Sequence, residues 1–216
     1  MADDSNYPVG ITLLPATERR NRLTTAFRFF LALPHLLLVG APAAAGAWLG
    51  WESHDGLGLS TGTGVLGAVA GVVSMIAWFA IVFTGAHPDG LWKLSAFYLR
   101  WRVRALAYAM LLRDEYPPFG DEDYTAALVL PAQPESRDRV KVFFRILLAL
   151  PHLVILGLLA VVWACTTAAA WVMILLTGRY PETLYGFAIG VFAWNVRVEA
   201  YVLLLLDDYP PFTLRA

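Results

Sequence analysis

The feature that most restricts how this chain can fold is a gap in its basic residues. No lysine or arginine occurs between Arg28 and Lys93. Within that gap the chain is apolar from Pro34 to Trp51 and, after a polar break at Glu52-Ser53-His54-Asp55-Gly56, again from Gly62 to Thr84. Each piece, the first taken with the residues before Pro34, reaches the ~20 residues that a spanning helix needs. Of 216 residues, 58% are hydrophobic and 15% charged, with a mean hydropathy of +0.58, outside the range of ordinary soluble domains. The expectation is a multi-pass protein of the cell membrane whose first partner is the lipid bilayer. A formal net charge of -1 offers no attraction for nucleic acid, and the single Cys165 cannot form an intrachain disulfide. The acidic start, Met1 to Asn6, lacks the basic region and short apolar core of a leader peptide, and no lipidation box is present. Attachment is therefore expected through the apolar segments themselves, with a cytoplasmic N-terminus.

The chain is also written twice. Asp114-Glu115-Tyr116-Pro117-Pro118-Phe119 returns as Asp207-Asp208-Tyr209-Pro210-Pro211-Phe212, and Arg28 with Leu31-Ala32-Leu33-Pro34-His35 returns as Arg145 with Leu148-Ala149-Leu150-Pro151-His152. The offset in the second pair is 145 − 28 = 117, whereas Thr84-Gly85 and Thr177-Gly178 are separated by 177 − 84 = 93. The first copy thus carries 24 extra residues between its Pro-His and Thr-Gly motifs. Alternation at Val9, Ile11 and Leu13, matched by Ala126, Leu128 and Leu130, predicts a short strand in each copy, and mutual pairing outside the bilayer would satisfy both. The fold expected is mainly α. It has two tandem copies, 1–120 and 121–216, each a short cytoplasmic strand, a transmembrane helical hairpin and a long interfacial or embedded helix.

For the second copy this requires the apolar run Val140 to Leu176 to break, because as one helix it would be about 55 Å long against a hydrocarbon core of ~30 Å. Pro151, Gly157 and Cys165-Thr166-Thr167 are the available places. The third segments, Leu91 to Leu112 and Leu184 to Leu206, are long enough to cross. However, the first holds Lys93, Arg100, Arg102 and Arg104, each arginine costing ~2.5 to 3.5 kcal/mol near a bilayer centre. The second has Asn195, Arg197 and Glu199, and a Gly186-x-x-x-Gly190 spacing that lets helices approach. With Arg19 to Arg28 marking the inside, four crossings in one shared orientation and cytoplasmic termini are expected; six crossings with inverted copies are the alternative.

On Arg-x-x-x-x-x-Pro-His at Arg28 to His35 and Arg145 to His152, Thr-Gly-Arg-Tyr-Pro at Thr177 to Pro181, and Tyr-Pro-Pro-Phe twice, the chain resembles the bacterial membrane family known as domain of unknown function 4389. The resemblance covers nearly the whole chain as two copies. The first departs from it, with Ala86-His87 where the second has Arg179-Tyr180. It implies an integral membrane location and no particular activity.

The repeated polar residues are the candidate sites. His35 and His152 could hold a haem or metal between the copies, or, more plainly, each could bond a backbone carbonyl freed by the preceding proline. Arg104 and Arg197, with Tyr108 and Tyr201 one turn on, could bind anionic lipid headgroups together with Arg100, or snorkel to the interface beside Trp101 and Trp194 as an aromatic belt. Asp114 and Asp207, next to Tyr116 and Tyr209, are acids at helix C-termini, where they oppose the macrodipole. They are expected either to pair with Arg28 and Arg145, tying the end of each copy to its start, or to be solvated. No nucleophile with a base, no phosphate-binding glycine loop, no paired catalytic carboxylates and no metal-ligand spacing stand out. The chain leans away from enzymes. The reading favoured is a scaffold or accessory subunit that engages lipid, a partner membrane protein or a second copy, without a cofactor; a small transporter using Arg197, Asn195 and Glu199 is the second, and haem or metal binding the third.

Overall fold

Strand β1 (Gly10–Leu13) and strand β2 (Ala126–Val129) pair antiparallel with Ile11 opposite Leu128, residues that are themselves equivalent at the offset of 117. The computed structural model describes residues 7–13, 20–41, 64–120 and 122–215. One face of the pair, with Ile11, Leu13, Ala126 and Leu128, lies on the core, and Gly10, Thr12, Ala127 and Val129 face outward or partly so. The Tyr7 hydroxyl donates to the Asp208 carbonyl at 3.2 Å and the Tyr124 hydroxyl to the Glu115 carbonyl at 2.6 Å. Each strand is thereby held by the acidic end of the other copy.

The helices are α1 (Arg22–Ala26), α2 (Arg28–Val39), α3 (Gly64–Thr84), α4 (Asp89–Ala109), α5 (Arg139–Phe143), α6 (Arg145–Thr177) and α7 (Glu182–Val202). The protein is mainly helical, and α3 and α6 are the two described helices long and apolar enough to cross a membrane. Asn21 caps α1 by accepting from the Leu23 and Thr24 amides, and Asp138 caps α5 by accepting from Val140 and Lys141.

The second copy contains no hairpin. Helix α6 is one unbroken element of 33 residues, about 50 Å long. None of the expected break points stops it. Pro151 lies inside the helix, and the turn before it is bridged by the Tyr209 hydroxyl, which donates to the Leu148 carbonyl at 3.1 Å. Thr166 bonds back to the Trp163 carbonyl at 3.0 Å, the local bond that lets a hydroxyl residue stay helical. In the first copy, α2 and α3 together take the place of α6, Val39 matching Leu156 and Gly64 matching Gly157 at the two offsets. Gly64, at φ +67°, starts α3 directly against the end of α2, where a Cβ would collide with the Gly40 amide. The expected turn of the first hairpin, Glu52 to Gly56, lies outside the described residues.

Helices α4 and α7, expected to be interfacial or embedded, form the interior of the protein. Nearly every residue from Ser95 to Leu112 and from Ala188 to Leu206 is buried. Trp92 Nε1, near the start of α4, donates to the Leu205 carbonyl at 3.1 Å, and Tyr185, near the start of α7, approaches the Leu112 carbonyl at 3.4 Å. The two helices are therefore antiparallel. Helix α6 packs on α7, and α2 and α3 pack on α4. The sequence expectation placed the arginines of α4 at a lipid boundary, whereas Arg102 is bound by Glu199 of α7 and the Val39 carbonyl of α2, and Arg104 by the Gly120 carbonyl. The Gly186-Gly190 spacing has a similar outcome. Gly190 makes room for the Leu214 carbonyl of the C-terminal segment rather than for a neighbouring helix.

The outer helices carry the exposed apolar surface, with Phe29, Phe30 and Leu37 on α2, Val72, Met75, Phe79 and Phe83 on α3, and Ile146, Val154, Leu158 and Val161 among many on α6. Two further bonds cross between the copies. Trp78 Nε1 donates to the Val142 carbonyl and Trp171 Nε1 to the Thr25 carbonyl, each at 2.9 Å and in equivalent positions. Trp78→Phe and Trp171→Phe each keep an aromatic ring but remove the N–H donor and orphan a helix carbonyl, so each should cost at least about 1 kcal/mol. Chemical denaturation of the detergent-solubilised protein reads this, and the two losses should be of similar size.

Candidate functional site

Helix α4 ends in a Schellman turn: the Leu111 amide donates to Tyr108, the Leu112 amide to Ala107, and Leu111 takes the left-handed conformation at φ 63°. Helix α7 ends identically through Leu204, also at φ 63°, with its bonds to Tyr201 and Ala200. A leucine at this position is strained where glycine would not be. The turn delivers Asp114 and Asp207 back toward the start of each copy.

There they meet buried guanidinium groups. Arg28 Nη2 lies 2.7 Å from Asp114 Oδ1, and its Nη1 donates to the Arg113 carbonyl at 2.5 Å and reaches the Tyr108 carbonyl at 3.5 Å. Arg145 repeats the pattern on Asp207 at 2.5 Å and on the Leu206 and Tyr201 carbonyls at 2.8 and 2.9 Å. Each guanidinium also sits 4.3 Å from a tyrosine centroid, Tyr108 or Tyr201. The expected pairing of Asp114 with Arg28 and of Asp207 with Arg145 is thus present. Tyr108 and Tyr201 are buried beneath it and form no interfacial belt.

A second arginine joins each carboxylate. Arg20 Nη1 is 3.1 Å from Asp114 and Arg137 Nη2 is 2.8 Å from Asp207, while the other carboxylate oxygens lie 3.3 and 3.4 Å from the amides of Asn21 and Asp138. Arg20 and Arg137 appear in the sequence only as flanking basic residues. Their separation, 137 − 20 = 117, is the signal that could have singled them out.

His35 and His152 do not bond freed carbonyls. Trp101 Nε1 donates to His35 Nδ1 and Trp194 Nε1 to His152 Nδ1, both at 3.1 Å. Accepting at Nδ1 leaves the neutral ring's proton on Nε2. Each imidazole is stacked on the phenylalanine of its own Tyr-Pro-Pro-Phe, Phe119 at 4.2 Å and Phe212 at 3.9 Å, with Tyr116 or Tyr209 at 5.0 or 4.8 Å completing an aromatic box. Both histidines are therefore packed in separate boxes rather than presented jointly to a metal or haem. Among the described residues, no group of three or more His, Cys, Asp or Glu side chains could hold a metal ion. Trp101 and Trp194 are buried with them instead of forming a belt.

Arg104 and Arg197 also point inward. Arg104 Nη1 donates to the Gly120 carbonyl at 2.8 Å, and Arg197 donates to Thr213 and Arg215 carbonyls at 2.7 and 2.9 Å. Both are buried and hold the segment after Tyr-Pro-Pro-Phe; Arg100 is half-buried. Of the polar residues proposed for a transport pathway, Glu199 is bound by Arg102 at 2.8 Å and lies 3.3 Å from the Tyr98 hydroxyl. Arg102 also donates to the Val39 and Ala41 carbonyls. This ion pair crosses between the copies and has no equivalent, since Asn195 and Leu106 stand at the matching positions.

The Thr-Gly motifs close the two helices and receive the other copy. Thr84 and Thr177 accept from the amides of Ala86 and Arg179 while donating to Ala80 and Met173 carbonyls. Gly85 and Gly178 are left-handed, at φ +78° and +74°, and their carbonyls accept from the Arg137 and Arg20 amides at 3.0 and 2.9 Å. Where the copies differ, Tyr180 lies with its ring 5.8 Å from the Arg20 guanidinium and is pushed up to about 12 by burial. His87 instead faces Arg137, Arg145 and Asp207, and its pKa is lowered by burial foremost, with the two arginines adding to it.

These features define a helical protein with an apolar exterior and an interior of paired, buried charges. The chain belongs to the family described as Domain of unknown function (DUF4389), whose model matches residues 62–120 and again 139–213. No curated protein and no solved structure matches it.

Two predictions test the site. Asp114→Asn or Asp207→Asn leaves two buried guanidinium groups without a counter-charge and should cost ~3 kcal/mol in denaturant unfolding, equally in either copy. His87 is neutral in the fold with its pKa below the ordinary 6.5, so its contribution to stability is present above about pH 6.5 and lost as the pH falls. The thermal midpoint should fall between pH 7 and 5, and His87→Gln should flatten that slope.

Proposed function

We propose that the protein is a non-enzymatic scaffold or accessory subunit of the cell membrane, with its outer helices α2, α3 and α6 in lipid and its strand pair in water. The observation that carries this reading is the partition of its side chains. Large exposed apolar residues crowd the outer helices, while Arg102, Arg104 and Arg197 of α4 and α7 are buried and bonded to carbonyls and a carboxylate. Such a surface is far larger than the apolar patches of soluble monomers. A two-stranded sheet has two open edges and cannot lie in hydrocarbon, so the side of α4 and α7 that carries it belongs in water. Because the copies exchange across that sheet at Ile11 and Leu128, both then present the same side to the same compartment, the cytoplasm, with both termini.

The two sequence copies, 1–120 and 121–216, behave on this reading as one body. Tyr7, Arg20, Thr25 and Leu112 of the first bond Asp208, Gly178, Trp171 and Tyr185 of the second, and the reciprocal bonds run the other way. A rigid apolar platform with a water-facing sheet suits the support of lipid or of another membrane protein.

Washing membranes at high pH in carbonate should leave the full chain in the pellet, and Thr12→Cys in a Cys165→Ser background should react with an impermeant maleimide only from the cytoplasmic side. Release by carbonate would overturn the membrane reading, and labelling from outside would overturn the orientation.

A further inference from the structure

Where the end of α6 meets the start of the first copy, a cleft of about 640 Å³ is lined by Arg20, Asn21, Arg22, Leu23, Thr177, Gly178 and Arg179. Arg20 is engaged by Asp114, but Arg22 and Arg179 are exposed and neither has an ionic or hydrogen-bonding partner for its guanidinium among the described residues. The backbone fixes their relation, because the Arg20 amide bonds the Gly178 carbonyl and the left-handed Gly178 lets Arg22 lie over it.

A second cavity begins next to this cleft. A groove of about 600 Å³ runs between α2 and the later half of α6, floored by Ala109, Met110 and Leu111, with Leu33, Ala164 and Trp171 among its walls. Trp171 lies six residues before Thr177, ~9 Å along the helix axis, and its bond to Thr25 joins the groove wall to the helix that begins in the cleft. The groove is almost wholly apolar and is continuous with the exposed apolar faces of α2 and α6.

We infer that the cleft and groove together form one binding site for an anionic phospholipid, with the headgroup phosphate on Arg22 and Arg179 and an acyl chain between α2 and α6. This rests on the membrane reading proposed above and assigns it a ligand. The charge complementarity is specific to this end of the molecule. At the equivalent junction Arg139 lies over Gly85, but Asp138 stands where Asn21 does and Ala86 where Arg179 does. One end thus offers two free guanidinium groups beside a neutral amide, and the other offers Arg139 with Lys141, the latter bridged to the Asp138 carboxylate at 3.6 Å. Guanidinium forks suit phosphate oxygens, and basic pockets between membrane helices recognise anionic headgroups in this way.

The test reconstitutes the full chain into phosphatidylcholine vesicles and measures tryptophan quenching by brominated phosphatidic acid against brominated phosphatidylcholine. Trp163 and Trp171 line the groove and report a chain inside it. The anionic lipid should quench preferentially, and Arg22→Gln and Arg179→Gln should each reduce its affinity about fivefold. Arg139→Gln should leave the preference unchanged, whereas Ala164→Phe, which fills the groove without touching either arginine, should remove the excess quenching by the anionic lipid. Equal quenching by both lipids, or a preference that survives the double variant, would overturn the inference. Suppression by millimolar inorganic phosphate together with insensitivity to Ala164→Phe would show a free-anion cleft and overturn the lipid assignment. Flotation of the same vesicles separates the two readings: chain that floats without a lipid preference refutes this site alone, and chain that does not float refutes the membrane reading with it.

Discussion

A buried guanidinium at the C-terminal end of a buried helix is the interaction on which this protein depends. The last carbonyls of α4 and α7 have no amide partners within the helix, and their ends carry the negative pole of the dipole. Arg28 and Arg145 answer both demands by binding carbonyls and the following carboxylate in one fork. A single arginine would balance a single aspartate. The second arginine, Arg20 or Arg137, is balanced in part by the dipole, whose partial negative charge adds to that of the carboxylate. This explains why an acid tolerated at the wrong end of a helix is accompanied by two bases rather than one.

The same cluster fixes the rest of the architecture by geometry. Asp114 and Asp207 bond the amides that open α1 and α5, so the end of each interior helix determines where each outer helix begins. The outer helices then run back over α4 and α7 and end at Thr-Gly turns, which receive the entry segment of the opposite copy. Closure is reciprocal. Neither copy can complete its own hydrogen bonds, which favours cooperative folding of both over independent domains. Strain at Leu111 and Leu204 is stored where this over-determined network can hold it.

Much of this was legible in residue spacing. Equivalent positions located the strands, the Asp–Arg pairing and the Thr-Gly stops, because a duplicated residue that breaks a local rule twice is answering a constraint. What spacing could not show was enclosure. Arg104, Arg197, Trp101 and Trp194 have the composition of an interfacial belt, and what buries them is α2 and α6 over the tryptophans and the chain after each Tyr-Pro-Pro-Phe over the arginines. The break expected in α6 failed for a related reason. Its length was compared with the bilayer along the normal, whereas its partner is α7, and a helix lying over another need not stop at the hydrocarbon boundary. The roles of Trp78 and Trp171, and the box around each histidine, depend on contacts between copies or across a chain reversal, for which hydrophobic periodicity carries no signal.

The departures from symmetry bear on function because the symmetric parts are spoken for. Arg28, His35, Tyr108, Asp114 and Phe119 and their counterparts bond or stack with one another within the protein, and the Nε atoms of Arg28 and Arg145 and the Nε2 atoms of His35 and His152 are buried without a hydrogen bond among the described residues. Two groups of residues present in one copy alone stand apart by their position. Arg102 with Glu199 and Tyr98 join the copies in the interior, beside the end of α2 where the 24 additional residues begin. That placement ties the insertion to the core through the Val39 and Ala41 carbonyls, which a continuous helix such as α6 does not offer. Arg179 and Tyr180, by contrast, stand at the surface end of α6, where one side chain braces Arg20 and the other is left facing outward. What the copies share closes each upon itself, and what distinguishes them includes the Arg102–Glu199 pair in the interior and the exposed Arg179 at the end of α6.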